Sequence, residues 1–301
     1  MHITKSIRRA LSSVAAVAAL SLVLTGCAGG EQDATAPTGE DDTISIGVVG
    51  ASKDQWTVFR QKAEEAGLDV EIRDFTDYTT ENPAVSDGSL TANQFQHILY
   101  LAQYNKDNNG TLVPIASTAI YPLALYSEQH ESIEDIPEGA QIAIPNDETN
   151  KSRAIHVLAE AKLLTLKPET GVIAAEEDID TAASRVTVAP MDAQQTVTAL
   201  PSIAGAVVNN DFVNDAGLDP DAALFEDNPN SPSAQPFINV LVVREADAEN
   251  ERLLQVGRLL HHPEVVEALK NNSAGSAVIV DKTPEELQQI LAEVTTSLEE
   301  G

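Results

Sequence analysis

The chain has 301 residues, 43% of them hydrophobic, enough for a sizeable core and about two domains or lobes. Acidic side chains number 47 against 18 basic ones, a formal charge of -29, and such a chain is repelled by phosphate backbones and anionic lipid surfaces, which argues against nucleic-acid binding. The charge is interspersed with apolar runs, which argues against wholesale disorder, and the single cysteine, Cys27, permits no intramolecular disulfide and no cysteine-built metal site.

Residues 1–26 carry Lys5, Arg8 and Arg9, no acid, and an apolar run from Leu11 to Leu24, the order of a secretory signal. That run is shorter than the roughly 20 residues a membrane-spanning helix needs. It ends in Leu24-Thr25-Gly26-Cys27, which resembles the bacterial lipoprotein signal box, with cleavage before Cys27 and lipids on that cysteine; an uncleaved anchor with an incidental cysteine is the alternative. Loss of the three basic residues takes the charge to about -32. Residues 27–42, small, polar and acidic, read as a flexible tether.

From residue 43 strand and helix patterns alternate. Thr43–Val49 reads as a strand, Asp54–Ala66 as a helix closed by Gly67, and Leu68–Ile72 as a second strand, a β–α–β opening that implies a parallel sheet. Further strands are expected at 112–116, 122–127, 140–145, 185–189, 204–208, 237–243 and 276–280, and helices at 91–104, 151–164, 192–200 and 250–271, the last broken at Pro263. Thr283 with Glu286 forms a capping box, Pro284 sits at the first helical position, and Leu287, Ile290, Leu291, Val294 and Leu298 recur at helical spacing. The segment 226–236, EDNPNSPSAQP, reads as an exposed loop.

Four stretches then identify a family. Phe75-Thr76-Asp77-Tyr78 with Asn82 and Leu90–Leu101, Ile142–Ala154 (IAIPNDETNKSRA), Val208-Asn209, and Pro236-Phe237-Ile238-Asn239 together resemble the methionine-binding lipoproteins that serve the methionine ABC importer. The likeness runs from about residue 43 to 280. It implies an α/β, two-lobed periplasmic-binding-protein-like fold with the ligand cleft between lobes and two crossing strands. The expected division is 43–121 with 244–301 in the first lobe and 122–243 in the second. It further implies capture of methionine, L-methionine being the expected form, and delivery to an importer permease with its ATPase. The protein would be outside the cytoplasm, held to the membrane only by the lipid on Cys27, with no cofactor, no metal and no catalysis. A binding lipoprotein for another amino acid or a methionine-containing peptide is the alternative, and a hydrolase on the same fold a remoter one. Gln94, Leu99 and Phe237 depart from the usual pattern, and residues 281–301 extend beyond it.

The residues have chemistry of their own. Thr149 or Asn150 would cap the helix after Pro145-Asn146-Asp147, placing Arg153 in its first turn near a strand end. There it could meet a ligand carboxylate, or pair with a nearby acid. Tyr78, Phe95, His97 and Tyr100 could line a slot whose aromatic edges suit a thioether, or could be core packing with a hydrogen-bonded histidine. Asn209 and Asn239 could serve a zwitterion with donor and acceptor atoms, or could cap strand ends; Asn150 divides between capping and ligand contact. The five other histidines show no metal spacing, and no nucleophile elbow or phosphate-binding loop is present.

Overall fold

The computed structural model describes residues 43–171 and 173–300; the expected signal segment, Cys27 and the tether lie outside the described residues. β1 (Ile44–Val49) is buried throughout, as a β-rich run covered on both faces must be. α1 (Asp54–Glu65) leads to β2 (Val70–Phe75), which pairs parallel with β1 from Ile44–Val70 to Val49–Phe75. After α2 (Glu81–Ser86), the short β3 (Ala92–Asn93) joins the other edge of β1. α3 (Ile98–Asn108) and β4 (Leu112–Ser117) follow.

The helix expected over 91–104 thus begins only at Ile98. Three side-chain amides hold the preceding residues extended: Asn93 Nδ2 donates to Asn82 Oδ1 at 2.9 Å, Asn82 Nδ2 to Gln96 Oε1 at 2.8 Å, and Gln96 Nε2 to Asn93 Oδ1 at 2.8 Å. The Gln94 N–H adds a bond to the Gly47 carbonyl at 2.9 Å. A buried, mutually satisfied amide network outweighs the weak helical preference of the run.

β5 (Ala119–Ile120) precedes the first crossing, residues 121–123, and β6 (Ala124–Tyr126) opens a second sheet. There follow β7 (Gln141–Pro145), α4 (Glu148–Glu160), β8 (Thr187–Met191), α5 (Ala193–Ala199), β9 (Gly205–Val208), α6 (Asn210–Asp215) and β10 (Phe225–Glu226). Their order across the sheet is β10-β6-β9-β7-β8. The helix after Pro145 is capped by Asp147, not by Thr149 or Asn150: the Asp147 carboxylate accepts the Asn150 N–H at 2.9 Å and the Thr149 hydroxyl at 3.2 Å.

Residues 227–239 return the chain to β11 (Val240–Arg244), which lies antiparallel between β3 and β4 and completes the first sheet in the order β2-β1-β3-β11-β4. The division that carried the second lobe to residue 243 therefore runs too far, because Val240–Val243 are first-sheet residues. α7 (Glu251–Leu260) and α8 (Pro263–Asn272) meet at Pro263, as the proline requires. β12 (Val278–Ile279) pairs with β5, and α9 (Pro284–Glu300) starts from the expected box, with the Thr283 N–H on Glu286 and the Glu286 N–H on the Thr283 hydroxyl.

Strand alternation divides the cores. Val240 and Val242 face α3 and α9, while Leu241 and Val243 face α1 and α7. In the second sheet Leu125, Ile142 and Ile144 pack on Ile155 and Leu158 of α4. On that sheet's opposite face, Ala143, Ala206 and Val208 meet Tyr78 and Phe95, which come from the first lobe. A shared apolar layer of this kind draws the two lobes together over the strand ends. No described helix is long and apolar enough to cross a membrane.

Candidate functional site

The extended stretch 92–97, the N-terminus of α4, the end of β9 and the return crossing converge on one narrow cavity of about 20 Å³. Tyr78, Phe95, His97, Tyr100, Asn150, Arg153, Asn209 and Asn239 all line it, so the structure brings together the eight residues expected at the ligand. Gln96, Tyr121, Pro122, Leu123, Asn210 and Asp211 complete the wall.

One side is aromatic. Tyr78 stacks on Phe95 at 5.7 Å between centroids, and Tyr100 meets Phe95 edge-on at the same distance. The Tyr100 hydroxyl donates to the Tyr78 carbonyl at 2.6 Å and locks the pair. Phe212 tilts against Tyr78 from the second lobe at 5.5 Å. Burial raises both tyrosine pKa values, with nearby carboxylates adding to the effect, so both hydroxyls remain neutral donors.

His97 fixes the start of α3. Its Nδ1 accepts the Tyr100 N–H at 3.1 Å, so the ring proton belongs on Nε2, which faces Asn150 Oδ1 at 3.4 Å. Burial, reinforced by the Arg153 charge, lowers the His97 pKa to about 3, and the imidazole stays neutral. The other side of the slot is a chain of amides. Asn150 Nδ2 donates to Asp147, and Asn209 Nδ2 donates to Asn150 Oδ1 at 2.9 Å. These bonds leave Asn209 Oδ1 buried with no hydrogen-bond partner, although its residue is 8% exposed and lines the slot. An unpaired buried acceptor costs about 1–3 kcal/mol, and a donor brought by a ligand would remove that cost.

Arg153 is positioned as expected but engaged differently. Its Nε donates to Asp227 Oδ2 at 2.7 Å, and Nη2 donates to Asp227 Oδ1 at 3.1 Å and to the Tyr121 carbonyl at 2.9 Å. The guanidinium also lies 4.0 Å from the centre of the Phe237 ring. Asp227 in turn accepts the Leu123 N–H at 2.9 Å. Arg153 and Asp227 thereby tie the two crossings together, and the fork expected to await a ligand carboxylate already grips a protein one. Pairing with a nearby acid is the alternative that the geometry matches, with Arg153 buried and Asp227 half-buried. The partner comes from the segment 226–236, read as an exposed loop, of which Asp227 is half-buried and Ala234 is buried in a short 3-10 helix, Pro232–Phe237.

Asn239 contributes mainly backbone: its N–H bonds the Ala119 carbonyl, and its carbonyl accepts from Thr118. The residue borders both the slot and a neighbouring outer chamber of about 50 Å³. The two spaces share Phe95, Tyr121, Pro122, Asn210, Asp211 and Asn239. Asp211 escaped the sequence reading although it lies two residues after Asn209, because acidic residues are too numerous for any one to stand out. Among the described residues, no group of three or more His, Cys, Asp or Glu side chains is placed to hold a metal ion.

The profile of the family described as NlpA lipoprotein matches residues 44–280. The chain is 34% identical over 266 residues to a probable D-methionine-binding lipoprotein MetQ of Vibrio cholerae, covering 87% of this chain and 95% of the relative. The substrate-binding protein of a methionine transporter from Streptococcus pneumoniae superimposes with a TM-score of 0.74 at 32% identity, covering 79% of this chain and 95% of the other. A nutrient-binding protein of Burkholderia cenocepacia, solved bound to methionine, gives 0.73 at 31% identity over 78% and 99% of the two chains.

Proposed function

Because this chain belongs to the NlpA lipoprotein family, we propose that it captures methionine outside the cytoplasm and passes it to an ABC importer. The observation that carries the reading is the unpaired Asn209 Oδ1 inside an otherwise satisfied slot. An ammonium group is the donor it lacks, and the Tyr78, Phe95 and Tyr100 rings offer edges to a thioether, worth up to about 1.5 kcal/mol per contact. Arg153 and Asn239 would then shape the carboxylate end, Arg153 through the crossing it braces as much as through its charge.

The same reading makes the protein a carrier and not an enzyme. The His97 imidazole is held neutral with Nδ1 occupied, and the slot tyrosines remain protonated. Cys27 would carry the lipid anchor, and a permease with its ATPase would receive the ligand.

Calorimetry tests the proposal. The full chain is unfolded, freed of carried-over ligand and refolded, then titrated with L-methionine, D-methionine, leucine and methionyl dipeptides. Binding of one methionine enantiomer, weakened on the order of tenfold or more by Asn209→Ala, is expected. Absence of heat with every methionine compound would overturn the assignment, and tighter binding of a dipeptide would move it to peptides.

A further inference from the structure

The outer chamber contains charged groups that methionine capture does not use. Lys53 follows β1, and its Nζ donates to Asp211 Oδ1 at 2.7 Å and to the Val49 carbonyl at 3.3 Å. The second oxygen, Asp211 Oδ2, accepts the Tyr78 hydroxyl at 2.9 Å. Lys53 and Tyr78 belong to the first lobe, whereas Asp211 sits on α6 beyond the second-lobe strand β9, separated from them by 158 and 133 residues. Both oxygens of one carboxylate are thus held by groups from the opposite lobe.

The approach of Lys53 is prepared by its own loop. Gly50 has φ +81°, and a Cβ there would lie 2.7 Å from Lys53 Cε, so the lysine stem lies across a position that only glycine leaves clear. The Lys53 and Asp211 side chains are 12% and 15% exposed, so water screens the pair incompletely. Tyr78, the third member, is also part of the slot's aromatic wall.

We propose that Lys53, Asp211 and Tyr78 form a clasp that holds the two lobes shut and couples closure to the occupant of the slot. Asp211 is a positioning residue here: it acts on the ligand through Tyr78. A side chain that leaves the Tyr78 ring against Phe95 keeps the hydroxyl on Asp211, and the ligand is retained. A side chain that displaces Tyr78 removes one of the two cross-lobe bonds and is released sooner. The retention part rests on the methionine reading, whereas the closure part does not.

The test uses the full chain with site-specific donor and acceptor fluorophores at the exposed positions 267 and 177, one in each lobe. Lys53→Met keeps the stem and removes the charge; Asp211→Asn keeps the shape and removes the acceptor charge. Each variant is compared with the parent for interlobe distance without ligand, for release of L-methionine and of D-methionine by stopped flow, and for thermal unfolding as a check on folding. Either change should lengthen the ligand-free distance and speed release on the order of tenfold, with the double variant no faster than the faster single one. Unchanged distance and release in both variants, or effects that simply multiply, would overturn the clasp. If the parent binds neither enantiomer, the methionine reading falls, and the ligand-free distance alone decides closure.

Discussion

Two ion pairs frame the slot, one at its back and one at its mouth. At the back, Arg153 and Asp227 meet through two parallel bonds, with a third to the Tyr121 carbonyl, the Leu123 N–H on Asp227 and the Phe237 ring beneath. At the mouth, Lys53 gives Asp211 a single bond; the two pairs are comparably enclosed, with cation and acid 12% and 15% exposed at the mouth and 7% and 18% at the back. The back pair ties α4 of the second lobe to the return crossing; the mouth pair joins the lobes themselves. The comparison separates two uses of the same chemistry. A planar arginine with several bonds fixes a connection, and a flexible lysine with one bond to the opposite lobe closes a gap that must reopen.

The contrast can be broken by stability measurements. The largest effect is expected from Arg153→Ala, which leaves Asp227 without its cation and should cost about 3–5 kcal/mol in denaturant unfolding. Lys53→Met should cost about 1 kcal/mol or less while changing release. Equal losses at the two positions would abolish the distinction between brace and clasp.

Between these lies Glu81, a fully buried carboxyl with neither a cation nor a hydrogen bond. Burial raises its pKa from the usual 4.5 to about 8, the backbone amides of Glu81 and Thr80 offset part of the shift without reaching hydrogen-bond geometry, and Asp77 and Asp211 add to it. The folded state holds this proton more tightly than the unfolded state, so stability is fully present below about pH 4.5 and declines as pH rises to about 8. Glu81→Gln should therefore unfold at a temperature several degrees above the parent at pH 8.5 and show a smaller difference near pH 5. A difference independent of pH would mean that the carboxyl does not titrate in this range.

How far the molecule was readable from its sequence follows the range of the forces involved. Local signals held: Pro263 breaks a helix, and Thr283 and Glu286 cap one. All eight candidate site residues line one cavity because short motifs kept them at strand ends and helix starts. Ala92–Gln96 was misread because its extended form depends on Asn82, outside the window in which helical spacing is judged. The partners of the charged groups were invisible for the same reason: Asp227 lies 74 residues from Arg153, and Asp211 lies 158 from Lys53. Spacing can say that an arginine reaches a cleft, but not which carboxylate arrives first.

In the proposed complex the unpaired Asn209 Oδ1 accepts from the ammonium group of an amino acid whose thioether lies among the Tyr78, Phe95 and Tyr100 rings. The most direct measurement is a calorimetric cycle of methionine and its des-amino analogue, 4-(methylthio)butanoate, on the parent chain and on Asn209→Leu. Loss of the amino group should weaken binding to the parent on the order of tenfold or more and have little further effect on the variant. Equal affinity of the parent for the two compounds, or the same loss in both proteins, would contradict the account.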